Sequence, residues 1–264
     1  MSLRNTFAAS RTTTMPAKRL TLALGALLAS LVLSACAGKD ERDDTLVNNI
    51  TRAYETAQTS MSNQNYRRAI QIFETLQARF PFSDLSKQIQ LELMYAYYKS
   101  NQQDQAIDAA DQFMRENPTH ARYDYALYIK ALAYFERDPG MLERVFKRDV
   151  SRRPPRDGAL AFSLLKRLVD RYPASPYAPD AEQRMVYLKN RLSAYENGVA
   201  RFYLSQEAYV AALNRAKNAL EEYNGADSTR DTLDIMIEAY EGLGMSELAA
   251  DTRRVRNANF PSGS

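Results

Sequence analysis

The chain has 264 residues, with 35 basic and 32 acidic side chains, one histidine and one cysteine. A single cysteine excludes an internal disulfide and any thiolate metal cluster, so stability has to come from packing. Arg4, Arg11, Lys18 and Arg19 all precede Cys36 with no acid among them, which leaves 31 basic against 32 acidic residues from there on, a net charge of −1. The alkaline isoelectric point therefore belongs largely to the leader and gives no reason to expect a nucleic-acid partner.

At the N-terminus, Lys18 and Arg19 precede an apolar run from Leu20 to Val32, interrupted only by Thr21, Gly25 and Ser30. Basic, apolar and small residues in that order read as a secretory signal over residues 1–35, and Met15 is a second candidate start. A run of about 14 residues is too short for a retained membrane span, which needs roughly 20. The run closes on Leu33-Ser34-Ala35-Cys36, which resembles the lipobox of bacterial lipoproteins. That resemblance implies a diacylglyceryl group on the Cys36 thiol, cleavage before it, and acylation (palmitate or a similar chain) of the new amine. Alanine at position 37, rather than aspartate, favours the outer membrane in such proteins. The alternative is an ordinary small-x-small cleavage site that discards Cys36. Residues 36–47 then read as a charged linker, with Lys39-Asp40-Glu41-Arg42-Asp43-Asp44 offering nothing to pack.

Internal repetition governs the rest. Tyr66, Ala69, Ile70, Phe73, Leu76 and Phe80 lie at offsets of 3, 4, 7, 10 and 14 from the first, one face of a helix that stops at Pro81. The frame recurs with Ala106 and Pro118, both 37 residues on, then with Ala161 and Pro173, with Ala212, and with Gly244 and Ala249. Small residues let paired helices approach closely, and proline stops each second helix. The pattern resembles the tetratricopeptide repeat, stretched from 34 residues to 37. The fold class it implies is all-α, a solenoid of about five such helix pairs.

Two intervals exceed 37. From Ala106 to Ala161 the spacing is 55, and residues 138–157 hold Asp138-Pro139-Gly140 and Arg152-Arg153-Pro154-Pro155-Arg156, the chemistry of an inserted loop. From Ala161 to Ala212 it is 51, and here no breaker follows Pro179. Instead Ala181, Met185, Leu188, Leu192, Tyr195, Val199 and Phe202 form a seam on one long helix. The expected organisation is three repeats over residues 48–178, then the long helix and two more over 179–260.

Catalytic sets are missing. His120 lies in Asn117-Pro118-Thr119-His120 at an interhelix turn, with no serine elbow, and is expected to cap or pack. The only close glycines, Gly242 and Gly244, mark a turn, and Glu221-Glu222 reads as a solvated helix face. No catalytic residue, cofactor or metal is assigned. The cluster Lys147, Arg148, Arg152, Arg153 and Arg156 lacks interleaved aromatics, which argues against single-stranded nucleic acid. A solvated loop balanced by Asp149 and Asp157 is the simpler reading. Among the 17 tyrosines, position counting places Tyr54, Tyr95, Tyr98, Tyr125 and Tyr128, with Leu91, on the concave face of the first helices. Tyrosine suits a groove for an extended peptide with aromatic side chains; packing within each repeat is the competing explanation.

Specific stretches carry a closer likeness. Arg79-Phe80-Pro81-Phe82, Gln90-Leu91-Glu92-Leu93, Tyr95-Ala96-Tyr97-Tyr98-Lys99, Asn117-Pro118-Thr119-His120 and Leu188-Lys189-Asn190-Arg191-Leu192 closely resemble the BamD (ComL) family, lipoproteins of the β-barrel assembly machinery. The likeness runs from about Leu46 to Arg256. It departs at Ala121-Arg122, where a proline is common, at Ala131, where glycine is usual, and at Phe80, where relatives often have tyrosine. The resemblance implies a non-enzymatic scaffold at the periplasmic face of the outer membrane. Its implied partners are a BamA-type barrel subunit, other Bam lipoproteins and unfolded outer-membrane protein substrates. It adds Phe80 to the groove and places Arg215, of an Asn214-Arg215 pair, at the contact with the barrel subunit. The alternative is a repeat lipoprotein with a structural role in cell-wall organisation.

Overall fold

A computed structural model describes residues 40–137 and 155–261, which form ten helices and no strand. The chain divides into two compact units at Glu55, inside helix α1 (Asp40–Ser62), and the account below concerns the second unless stated. In chain order follow α2 (Tyr66–Arg79), α3 (Ser86–Lys99), α4 (Gln103–Glu116), α5 (Tyr123–Arg137), α6 (Arg156–Arg171), α7 (Ala178–Ser205), α8 (Tyr209–Glu222), α9 (Thr229–Gly242) and α10 (Ser246–Asn259). From α2 onward each helix packs on the next, α5 on α6 included, across the residues 138–154 that separate them in the chain. Among the first helices of the pairs, α3 also meets α5, and α7 meets α9, so first and second helices form two layers. That arrangement is the all-α repeat stack expected from the alanine frame.

Both ends of the second helices repeat in atomic detail. Ala69, Ala106, Ala161, Ala212 and Ala249 are all at most 2% exposed, because a larger side chain there would hold paired helices apart. The turns that enter α2, α4, α8 and α10 carry a residue at positive φ: Gln64, Asn101, Glu207 and Gly244. In each, the next N–H reaches back across the helix end, as in Asn65 N–H to Ser60 O at 2.8 Å and Met245 N–H to Tyr240 O at 2.9 Å, which satisfies a terminal carbonyl. Only Gly244 supplies the residue type with no penalty there. The exits are equally regular. Phe80, Asn117, Tyr172 and Phe260 end their helices near φ −130°, each directly before a proline that forbids helical geometry to its predecessor. Phe260-Pro261 extends the proline rule to the last repeat, and Tyr223, followed by Asn224, is the exception.

The long helix α7 is 28 residues, with Pro179 tolerated in its first turn. Its first half packs Ala178, Ala181, Leu188 and Leu192 into a core shared with α3 to α6, built around Phe113, Leu127 and Leu165. Its second half sends Ala200 and Leu204 into a second core with α8 to α10. Between them the buried side turns polar. Ser193 and Asn197 are at most 2% exposed and bond to Ser228, at 2.6 and 3.1 Å, and Thr232 donates to Asn197 at 3.0 Å. The expected seam is therefore corrected beyond Leu192: Phe202 is 60% exposed, because the helix turns its Ser193–Asn197–Ala200–Leu204 stripe towards α8 and α9.

The insertion also needs one correction. Residues 138–154 lie outside the described residues, but Pro155 caps α6, and Arg156 and Asp157 belong to its first turn. Asp157 has a described partner outside the basic cluster. It holds Arg137, at the end of α5, at 3.2 and 3.3 Å, and Arg137 also pairs with Asp104 at 2.5 Å. Where α8 meets the end of α9, a Cβ on Gly242 would lie 2.4 Å from the Tyr209 ring, so that position has to be glycine for the tyrosine to sit as it does.

Candidate functional site

The tyrosines of α3 and α5 come together on the first-helix layer, joined by one residue that position counting missed. Tyr95 and Tyr98 lie with ring centroids 6.4 Å apart. Tyr125 and Tyr128 face Tyr177, from the turn before α7, at 5.6 and 4.8 Å, the latter a stacked pair. All five are half-buried and pack against the core cluster. Leu91 is not part of this surface. It is 4% exposed in the cluster with Phe113 and Leu127, since its place on α3 faces the neighbouring helices. Phe80 is half-buried as the residue that caps the end of α2, and nearby Phe82 is the more exposed ring, at 99%. Tyr54 lies before the unit boundary, half-buried on α1.

Charged side chains frame the rings. Tyr98 donates to Glu136, which also accepts from Gln103 at 3.1 Å. Tyr128 donates to Asp180 at 2.6 Å, and Arg184, one turn along α7, pairs with the same carboxylate at 2.6 Å while lying over the Phe135 ring. Arg122 lies over Tyr125 at 4.8 Å and donates to the Tyr177 hydroxyl at 3.3 Å. His120 supports that turn: its ring meets Phe113 edge-on at 5.2 Å and its Nδ1 accepts the Arg122 N–H at 3.1 Å, a packing and capping role. Among the described residues no carboxylate residue is fully buried, and Asp180 has its pKa lowered, hydrogen bonds from Arg184 and Tyr128 outweighing its burial.

The same contacts change how the tyrosines titrate. Burial first, and the bond to Asp180 second, push Tyr128 up to about 12. Burial likewise raises Tyr98, with Glu136 adding to it, and Tyr125, with Glu92 adding to it. A folded pKa above the unfolded value of about 10 gives stability that is intact below pH 10 and lost as pH rises through the folded value. A tyrosinate titration by ultraviolet absorbance is therefore expected to show a subset ionising only near pH 12 and above, with unfolding free energy falling from pH 10 upward. A single transition near pH 10 for every tyrosine would mean that these rings stand free in solvent.

Arg215 occupies a second place, on α8, with its side chain 44% exposed and Asn214 exposed beside it. It is not free in solvent, as the buried stripe of Ala212, Ala216 and Ala219 alone suggests. Its Nη1 lies 3.1 Å from Glu196 of α7, whose side chain is only 12% exposed.

Stacked helix pairs from α2 to α10 define an all-α helical-repeat protein. Residues 48–255 match the family model of the YfiO outer membrane lipoproteins, and the chain belongs to that family. It is 40% identical to outer membrane protein assembly factor BamD of Neisseria meningitidis serogroup A over 92% of this chain and 90% of that one. To the protein of the same name from Vibrio cholerae it is 37% identical, over 79% and 87% of the two chains. Among solved structures, a crystal structure of MamA protein aligns with 81% of this chain and 97% of its own, at a TM-score of 0.39 and 15% identity.

Proposed function

We propose that this protein is a non-enzymatic scaffold of outer-membrane protein assembly, anchored by lipid on Cys36 to the periplasmic face of the outer membrane. On this reading the C-terminal repeats hold a BamA-type barrel subunit through the surface that includes Arg215. The tyrosine face of α3 and α5 receives aromatic segments of unfolded outer-membrane proteins, and other Bam lipoproteins complete the assembly. The observation that carries the reading is the match to BamD relatives along nearly the whole chain, over the same repeats that bring Tyr95, Tyr98, Tyr125 and Tyr128 to one face. No helix among the described residues is long and apolar enough to cross a membrane, so an acylated Cys36 would have to supply the attachment. Two or three acyl chains suffice for that, at about 0.8 kcal/mol per buried methylene.

The test is purification in mild detergent with identification of what accompanies the chain. A barrel subunit with a periplasmic domain is expected; peptidoglycan fragments in its place would favour the structural role in the cell wall. Cys36→Ala is expected to give a folded protein that moves from the membrane pellet to the soluble periplasmic fraction after a high-salt wash. A variant that stays in the pellet, in cells lacking the barrel partner, would show that lipid is not the anchor.

A further inference from the structure

At the end of α6, Arg167 and Arg171 stand one turn apart, both exposed, and neither pairs with a carboxylate among the described residues. Like charges so placed on a helix repel, and no acid relieves these. Asp170 is held by Lys166 at 2.7 Å, and Asp124 accepts from Ser175 at 2.7 Å and from the Tyr125 N–H at 2.8 Å. The surroundings of the two arginines are aromatic instead. Arg167 donates to the Tyr123 hydroxyl at 2.9 Å, and the guanidinium groups lie 5.8 and 6.0 Å from the Tyr123 ring centre. Tyr172 extends the patch, its ring 5.7 Å from Arg171 and 6.0 Å from Tyr123. The negative end of the helix dipole accounts for Arg171, the last residue of α6, but Arg167 lies a turn further in. The Tyr123 hydroxyl accepts from Arg167 and keeps its own proton to donate, so two guanidinium groups and one O–H border the same exposed patch.

We infer that Arg167, Arg171 and Tyr123 form a seat for the phosphate of an anionic lipid headgroup. The inference rests on the reading that an acylated Cys36 holds the chain at a membrane, where headgroup phosphates are always within reach, and it adds which surface meets them. One guanidinium satisfies one carboxylate, whereas two with a hydroxyl between them suit the several oxygens of a phosphate. A second observation favours lipid over a soluble anion. The start of α5 meets the end of α6 through Tyr123 and Arg167, and its end meets the start of α6 through Arg137 and Asp157, so the two run antiparallel. The shorter turns make the preceding helices alternate likewise, which puts the turns after α2 and α6 on one edge of the stack. The first of these turns presents Phe82, an apolar ring 99% exposed. An exposed phenyl ring and an arginine–tyrosine patch along one edge match a membrane interface, where the ring enters the acyl boundary and the cations meet phosphate.

The experiment uses the full chain carrying Cys36→Ala, so that no acyl chain contributes, and measures flotation with two kinds of vesicle. One is phosphatidylcholine alone, and the other is phosphatidylcholine with phosphatidylglycerol. The chain is expected to prefer the anionic vesicles. Adding Arg167→Gln and Arg171→Gln should cost roughly thirtyfold in affinity for them, and nothing for the neutral ones, with an unchanged melting temperature. Arg67→Gln with Arg68→Gln makes the same change in net charge at the start of α2, on the opposite edge, where both arginines are exposed. That control is expected to bind like its parent. If the parent binds both vesicles equally, or if the control loses as much as the Arg167 and Arg171 variant, the seat does not exist. If the Arg167 and Arg171 variant keeps its vesicle binding but recovers less barrel subunit, the patch is a protein contact and the inference fails. None of these outcomes touches the acyl anchor, because Cys36 is replaced in every chain measured and the anchor is read by fractionation of the wild type.

Discussion

Replacing both Tyr95 and Tyr128 by alanine is expected to lower the unfolding free energy by about 3–5 kcal/mol, well beyond the cost of emptying a surface groove. Fully buried aromatic truncations cost roughly 3–5 kcal/mol each, and these rings are half-buried, so about half that for each is appropriate. Tyr128 loses more than area: its ring stacks on Tyr177 at 4.8 Å, and its hydroxyl leaves Asp180 with Arg184 alone. At about 2–4 °C per kcal/mol for a chain of this size, the melting temperature should fall by roughly 10 °C. Peptide affinity measured on this double variant would mix lost contacts with a loosened face. Tyr128→Phe separates the two. It keeps the ring, removes the hydroxyl, and should cost about 1 kcal/mol of stability with peptide affinity near that of wild type. A double alanine variant that melts like wild type would show the rings to be free surface and the structural part of this argument wrong.

That dual role could be anticipated only in part from the residues. The helix pairs were legible because their signals are local. A buried alanine near the start of each second helix, and proline at the exit of four of the five, act within one turn of chain, and steric exclusion does not depend on distant partners. Position counting placed Tyr95, Tyr98, Tyr125 and Tyr128 on one face but said nothing of depth, so Leu91 was grouped with them although it lies in the core. The contacts that give the face its chemistry bridge long separations. Arg122 meets Tyr177 across 55 residues, and Tyr128 meets Asp180 across 52. No period in the sequence reports such pairs. Likewise the buried side of α7 past Leu192 is carried by Ser193 and Asn197, which a search for apolar spacing passes over in favour of Val199 and Phe202. A polar residue is recognised as buried only when its partners are known, here Ser228 and Thr232.

Arg215→Glu is expected to reduce recovery of the barrel partner more than tenfold and also to lower the melting temperature by several degrees. The second effect comes from Glu196. Its side chain is only 12% exposed and lies 3.1 Å from Arg215, so the substitution sets two carboxylates together in a poorly solvated place. Because Arg215 itself is 44% exposed, solvent screens the pair, and the stability loss should be about 1–2 kcal/mol rather than the larger cost of a fully buried one. The loss at the interface should be larger, about 2–5 kcal/mol, if the arginine is desolvated when the partner docks. A charge swap distinguishes the roles. Arg215→Glu combined with Glu196→Arg restores an ion pair between α7 and α8, so the melting temperature should return towards wild type. If Arg215 touches the partner directly, recovery of the barrel subunit stays low in the swapped chain, because the carboxylate now stands where the guanidinium was. If the swap restores both, Arg215 acts only by holding Glu196 and α8 in place. Should Arg215→Glu alone retain its partner at elevated salt as well as wild type does, this surface of α8 is not the contact.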